Sequence, residues 1–219
     1  MLAAAEQLIA TRGPGVPNRV IVAAAGQHNQ SAISYHFTSR AGLIEAIRER
    51  HELPIEQHRR QLISRLPGPE DRTTRQLVEA HVHPLAAEML RCHPSYWARF
   101  SEMLLLDQPL LLDQPLRLTS DAGLPVPAQP GQPGALARSG LPNLMVARLT
   151  HLPEREAASR VALAIRFLVS SLARWERDSQ CDSDLVGPLA PFALTLTDLA
   201  VAMLEAPSSA PPTGRPIPG

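Results

Sequence analysis

The chain has 219 residues, 44% of them hydrophobic, and no net formal charge, which is enough apolar material for a real core and too much for a disordered segment. Two cysteines, Cys92 and Cys181, are too few for a disulfide framework and point to a reducing, cytoplasmic setting. No apolar run reaches the roughly 18 residues of a membrane span, and the start Met1-Leu2-Ala3-Ala4-Ala5-Glu6 lacks the basic opening of a secretory signal.

In chain order, residues 1–12 read as a helix with Leu2, Ala5, Leu8 and Ile9 as its apolar stripe, Glu6 and Gln7 lying off it. Gly13-Pro14-Gly15 stops it, and Pro17 suits the first position of a short second helix that buries Ile21, Ala24 and Ala25 and ends at Gly26. A polar turn, Gln27-His28-Asn29, leads into a third helix from about Gln30 to His36, with Ile33 and Phe37 facing inward. Ser39 can cap a fourth helix that buries Leu43, Ile44 and Ile47. Pro54 is expected to kink or interrupt it, because proline removes a helix hydrogen bond, and the pattern resumes through Leu66. Pro67-Gly68-Pro69 marks a boundary, after which helical patterns return at about 73–91 and 95–106.

Leu104-Leu105-Leu106-Asp107-Gln108-Pro109 then repeats at once over 110–115, a local duplication rather than a solenoid, which needs at least three longer repeats. Residues 119–135, rich in Pro and Gly, read as a loop, followed by a helix near 136–151. Two amphipathic seams close the chain: Val161, Ile165, Leu168, Leu172 and Trp175, then Leu189, Phe192, Leu196, Leu199 and Met203. Both suit helix-on-helix packing, first within a subunit and then about a two-fold axis in a homodimer. The tail from Pro207 to Gly219, with five prolines, is expected to be disordered.

Charge is unevenly placed. Residues 1–66 carry eight arginines against five glutamates, a balance of +3, and the remainder carries −3. There is no lysine, so arginine supplies every side-chain cation other than histidine, and its planar fork suits phosphate and guanine. Within this basic segment, two short helices joined by a glycine-containing turn make a helix-turn-helix, whose second helix enters the major groove. Its polar side carries Gln30, Ser31, Ser34, Tyr35 and His36, all able to bond base edges or phosphates.

The run from Ala25 to Ile44, with Tyr35-His36-Phe37, a short Ser39-Arg40 turn and then Gly42-Leu43, resembles the signature of the tetracycline-repressor (TetR) family. Ala4 to Gly13 is similar to that family's first helix, so the resemblance covers about 50 residues closely. It implies an all-α fold: a three-helix DNA-binding domain over 1–46 and a larger helical regulatory and dimerisation domain over 47–206, ahead of the 207–219 tail. It also implies a ligand-responsive regulator, most often a repressor, that binds a near-palindromic double-stranded operator as a homodimer. Gln30, Ser31 and Ser34 match groove-facing positions, and Tyr35 and His36 match phosphate-contacting ones. Arg19 matches a basic residue early in the second helix and Arg40 a phosphate-binding cation at the start of the fourth; Asn29, in the turn, is grouped with them. Pro17 departs from the hydroxyl cap common in the family, the sequence starts inside the first helix, so that the family's basic arm is either absent or lies upstream, and the turn before Ser31 is one residue longer than the commonest pattern.

Among the middle helices, Trp97, Phe100, Met103, Met89 and His81 offer a mostly apolar lining with few polar groups, the usual make-up of a small-molecule pocket. Enzyme and metal signals are weak. His51-Glu52 opens a zincin-like motif, but position 55 is Ile; His81 and His83 diverge on a helix, and Cys92-His93 lacks a recognisable zinc spacing. The sequence therefore calls for no catalytic residue, no metal and no cofactor. Two other readings stay open: a metal-dependent enzyme using His81, His83 and Cys92, and a helical interaction module without DNA binding.

Overall fold

The computed structural model describes residues 1–27, 29, 32–106, 140–182 and 186–208. The fold is all-α, and the described residues form nine α-helices and one turn of 3₁₀ helix at Pro69–Asp71, with no strand. The helices are α1 (Leu2–Arg12), α2 (Asn18–Ala24), α3 (Ala32–Phe37), α4 (Arg40–Ser64), α5 (Thr74–Arg91), α6 (Trp97–Leu106), α7 (Leu141–Arg148), α8 (Glu154–Cys181) and α9 (Leu189–Glu205). The start of the third helix at Gln30 and Ser31, the duplication beyond Leu106, the 119–135 loop and the tail from 209 lie outside the described residues.

Local chemistry sets the boundaries. Gly26, at φ 67°, closes α2 in a Schellman arrangement: the Gln27 N–H donates to the Val22 carbonyl and the Gly26 N–H to that of Ala23, both at 3.0 Å. Ser39 caps α4 by accepting from the Gly42 N–H at 3.1 Å. A capping box opens α5, with Thr73 accepting from the Gln76 backbone and the Gln76 side chain accepting from the Thr73 backbone at 2.9 Å.

Pro54 does not interrupt α4, which runs unbroken from Arg40 to Ser64. The proline forfeits one backbone bond, but Ile47, His51, Ile55, Glu56 and Arg59 bury the flanking turns, and that packing outweighs the lost bond. The start of the tail is also tied down: Arg160 donates to the Pro207 carbonyl at 2.8 Å, and Ser208 donates to Glu156 at 2.6 Å.

Two cores organise the chain. The larger is built by α5, α7, α8 and α9 around Leu77, Val82, Leu141, Val161, Leu168, Leu172, Leu196 and Leu204. The smaller collects Ala5, Ile9, Ile21, Ile33, Leu43 and Ile47 from α1–α4, together with Trp97 and Phe100 of α6. Burying each such side chain contributes about 1.5–3 kcal/mol, so the two α6 aromatics are substantial parts of the smaller core. Helix α6 packs on α8 on one side and on α1 on the other, and α4 lies along α5.

Candidate functional site

The joint between α3 and α4 positions the candidate DNA-reading surface. Thr38 sits at φ 63°, a left-handed conformation costly for a β-branched residue, and the Ser39 N–H donates to the Phe37 carbonyl at 2.6 Å. The same carbonyl lies against the Cα of Gly42, where an added Cβ would stand 2.0 Å from it. The glycine of the signature is therefore a steric requirement of this turn. Ile33 is buried, Tyr35 is 82% exposed and His36 is exposed, its ring edge-on to Tyr35 at 5.0 Å.

Arg19 and Asn29 are also exposed. Gln30, Ser31 and the side chain of Ser34 lie outside the described residues. Arg40 has its guanidinium on the Asn18 carboxamide oxygen at 2.9 Å and the Pro14 carbonyl at 2.6 Å, which braces the start of α4 against the start of α2.

Where this head meets the rest of the chain, a charged group that periodicity left on the surface is buried. Glu6 of α1 is 5% exposed, not solvated off the stripe as the sequence pattern suggested. It is compensated by His51 of α4, whose Nε2 lies 3.0 Å from Glu6 and whose Nδ1 lies 2.5 Å from Glu88 of α5. The imidazole also stacks on Trp97 at 4.6 Å. Burial alone would lower the His51 pKa, but the hydrogen bonds and charges of the two carboxylates outweigh it and raise it above the usual imidazole value. Glu88 is held below the usual carboxylate range, because His51 and Arg91 outweigh its burial. Arg91 donates to both Glu88 oxygens, at 2.7 and 2.5 Å, and the Cys92 thiol lies 3.8 Å from Glu88 Oε1. Three helices, α1, α4 and α5, thus meet at one imidazole.

The five pocket candidates separate. Met89 and Trp97 line a small internal cavity of about 10 Å³ with Leu85, Ala98, Ser101, Val169 and Leu172, room for one water-sized molecule. The Trp97 indole N–H and the Ser101 hydroxyl are both buried without a hydrogen-bond partner. Phe100 lies in the smaller core, and Met103 reaches Gly13 at the end of α1. His81 is apart from the cavity, 1% exposed, with both ring nitrogens unpartnered. Among the described residues, His81 and His83 do not join Cys92 in a ligand group; the partners of Cys92 are Glu88 and His51.

Burial, with a smaller contribution from the Arg59 cation, pushes the His81 pKa down to about 3. A histidine so depressed stays neutral in the folded chain while the unfolded chain takes up a proton below its ordinary value. The stability it permits is complete above pH 6.5 and falls as pH drops toward 3. At about 1.4 kcal/mol per pH unit, roughly 2 kcal/mol is lost by pH 5. His81→Leu, which buries no unpaired nitrogen, is expected to lose about that much less than the parent chain between pH 7 and pH 5 in urea unfolding; equal losses would remove His81 as the source.

Of the predicted dimer seams, most residues are internal. Val161, Ile165, Leu168, Leu172, Leu189 and Leu196 are buried in the chain's own larger core, and Trp175 and Phe192 pack against it. Leu199 is 48% and Met203 37% exposed, so what remains for a partner is a side of α9 rather than the end of each seam. Helical periodicity marks the apolar stripe but not how much of its width a neighbouring helix covers.

A second residue set escaped the sequence reading. Glu176 of α8, 1% exposed, accepts from the Ser95 hydroxyl at 2.6 Å and, at 3.1 Å each, from the Ala98 N–H, the Arg99 N–H and Arg99 Nε. It supplies α6 with an N-terminal cap from another helix and fixes the helix that carries Trp97. No protein-family model matches the chain, and no curated protein matches it either.

Proposed function

We propose that the chain is a sequence-specific DNA-binding transcriptional regulator, a ligand-responsive repressor of the tetracycline-repressor type, working in the cytoplasm as a homodimer on a near-palindromic operator. The observation that carries this reading is the α2–α3 pair on its locked joint with α4: Ile33 is anchored inside while Tyr35, His36 and Arg19 stand free on the surface. A short helix held this way can enter a major groove without deforming. The effector region is the cavity beside Met89 and Trp97, where two unpartnered donors await an acceptor. A ligand larger than water must part its walls, and Trp97 carries that movement to His51 and so to Glu6 of the head.

One reading head touches few base pairs, so the reading requires two. The exposed Leu199 and Met203 on α9 are assigned as the two-fold contact.

Selection of bound DNA from a random pool at a fixed, stated salt concentration tests the reading directly. A near-palindrome with half-sites about 34–36 Å apart, or somewhat more, is expected. Gln30→Ala should relax preference at one base, at a cost of about 1–3 kcal/mol. Arg40→Ala should weaken all sequences alike by releasing the brace between α2 and α4. Leu199→Glu should give a folded monomer that no longer binds the palindrome, whereas Leu168→Glu should unfold the chain. Failure of any sequence to enrich, even at low salt, would sink the DNA-binding reading.

A further inference from the structure

We propose that His51, Glu88 and Cys92 form a binding site for a thiolate-tolerant divalent ion of the zinc class, a site that stands independently of whether the chain binds DNA. One ligand atom from each of His51, Glu88 and Cys92 lies within 4.8 Å of the others, and Glu88 Oε1 stands 2.5 Å from His51 Nδ1 and 3.8 Å from Cys92 Sγ. Glu88 and Cys92 are four residues apart at the end of α5, so they share one face, and His51 meets them from α4. His51 and Glu88 are buried while Cys92 is half-buried, so the site is enclosed on two sides and reachable past the thiol.

The second independent observation is the other side of the imidazole. Its Nε2 lies 3.0 Å from Glu6 Oε2 and can donate to it. A carboxylate on the remote nitrogen is the usual partner of a metal-bound histidine, because it fixes the tautomer and aims the free nitrogen at the ion. Here the nitrogen so aimed is Nδ1, on the side of Glu88 and Cys92. The donor set of one nitrogen, one oxygen and one sulfur selects against magnesium and calcium, which take oxygen ligands, and suits zinc with a fourth position left for water.

Occupation needs two small rearrangements. The 2.5 Å contact between Nδ1 and Oε1 must open to about 3.4 Å, the separation of two ligands on a tetrahedral ion with bonds near 2.1 Å. Arg91 must also give up its 2.5 Å bond to Oε1, and it can stay on Glu88 through Oε2, where it donates at 2.7 Å, leaving Oε1 to the ion. The exchange also balances in charge. The ion brings two positive charges, and the Nδ1 proton of His51 and the thiol proton of Cys92 leave, so the buried cluster keeps the same net charge. The alternative occupant of this space is the imidazolium hydrogen-bonded to both carboxylates, with no ion.

The test uses the full chain, stripped with a chelator and titrated with zinc against a chromophoric competitor, then with cobalt. One equivalent should bind with release of two protons, read from the dependence of the binding heat on buffer ionisation. The cobalt form should show a thiolate charge-transfer band in the near ultraviolet. Cys92→Ser, at a half-buried position that leaves the helical circular dichroism unchanged, should lose the band and at least tenfold in affinity. Glu6→Gln should keep the band and lose about 10- to 100-fold in affinity. The proposal is overturned by the absence of stoichiometric binding tighter than micromolar, by a cobalt spectrum without sulfur character, or by full affinity in folded Cys92→Ser.

Discussion

Glu176→Ala is expected to cost about 3–5 kcal/mol in urea unfolding, the loss typical of removing one partner from a buried ion pair. The alanine leaves three groups without their acceptor: the Ala98 and Arg99 amides at the first turn of α6, and the Ser95 hydroxyl. Among the described residues, it also leaves the Arg99 guanidinium, 7% exposed, with the Gln180 carboxamide at 2.6 Å and the Tyr96 ring, 4.9 Å from its centroid. Glu176→Gln keeps one acceptor oxygen and should recover part of the loss. A cost below 1 kcal/mol for the alanine variant would show that α6 does not depend on this cap.

Gly42→Ala is expected to damage the head more than any other single methyl. Its new carbon would fall 2.0 Å from the Phe37 carbonyl oxygen, a backbone atom that cannot swing aside. The α3–α4 joint must open, which breaks the Ser39 cap and turns α3 away from its bed on α4. A loss of about 3 kcal/mol is expected, at the upper end for overpacking, with operator binding falling further because α3 is re-aimed. Gly15→Ala is the control: nothing stands within 4 Å of its added carbon, and it should be neutral or stabilise by up to about 1 kcal/mol. If the two alanines behave alike, the steric account of the signature is wrong.

The helices were legible in the sequence because their apolar spacing is regular: Val161, Ile165, Leu168 and Leu172 are all buried on α8. The same spacing did not say which part of a stripe the chain's own helices cover: Ile165, Leu168 and Leu172, grouped with a dimer seam, are internal, while Leu199 and Met203 stay exposed. What the sequence hid was buried charge. Glu6, Arg59, Glu88, Arg99 and Glu176 look like surface residues until their partners arrive from distant positions, as His51 does for Glu6. His51 was visible only as the start of an incomplete motif, and Cys92 only beside the wrong histidines.

Trp97 and Phe100 complete the smaller core from outside the segment that builds the rest of it. The head is consequently not a transferable cassette. A fragment ending near residue 46 would expose the side of α1 that packs on α6, and should show little amide protection from hydrogen exchange on its own. Transplanting the reading helices to a foreign regulatory body would require carrying α6 with them, or redesigning α1 to be wetted.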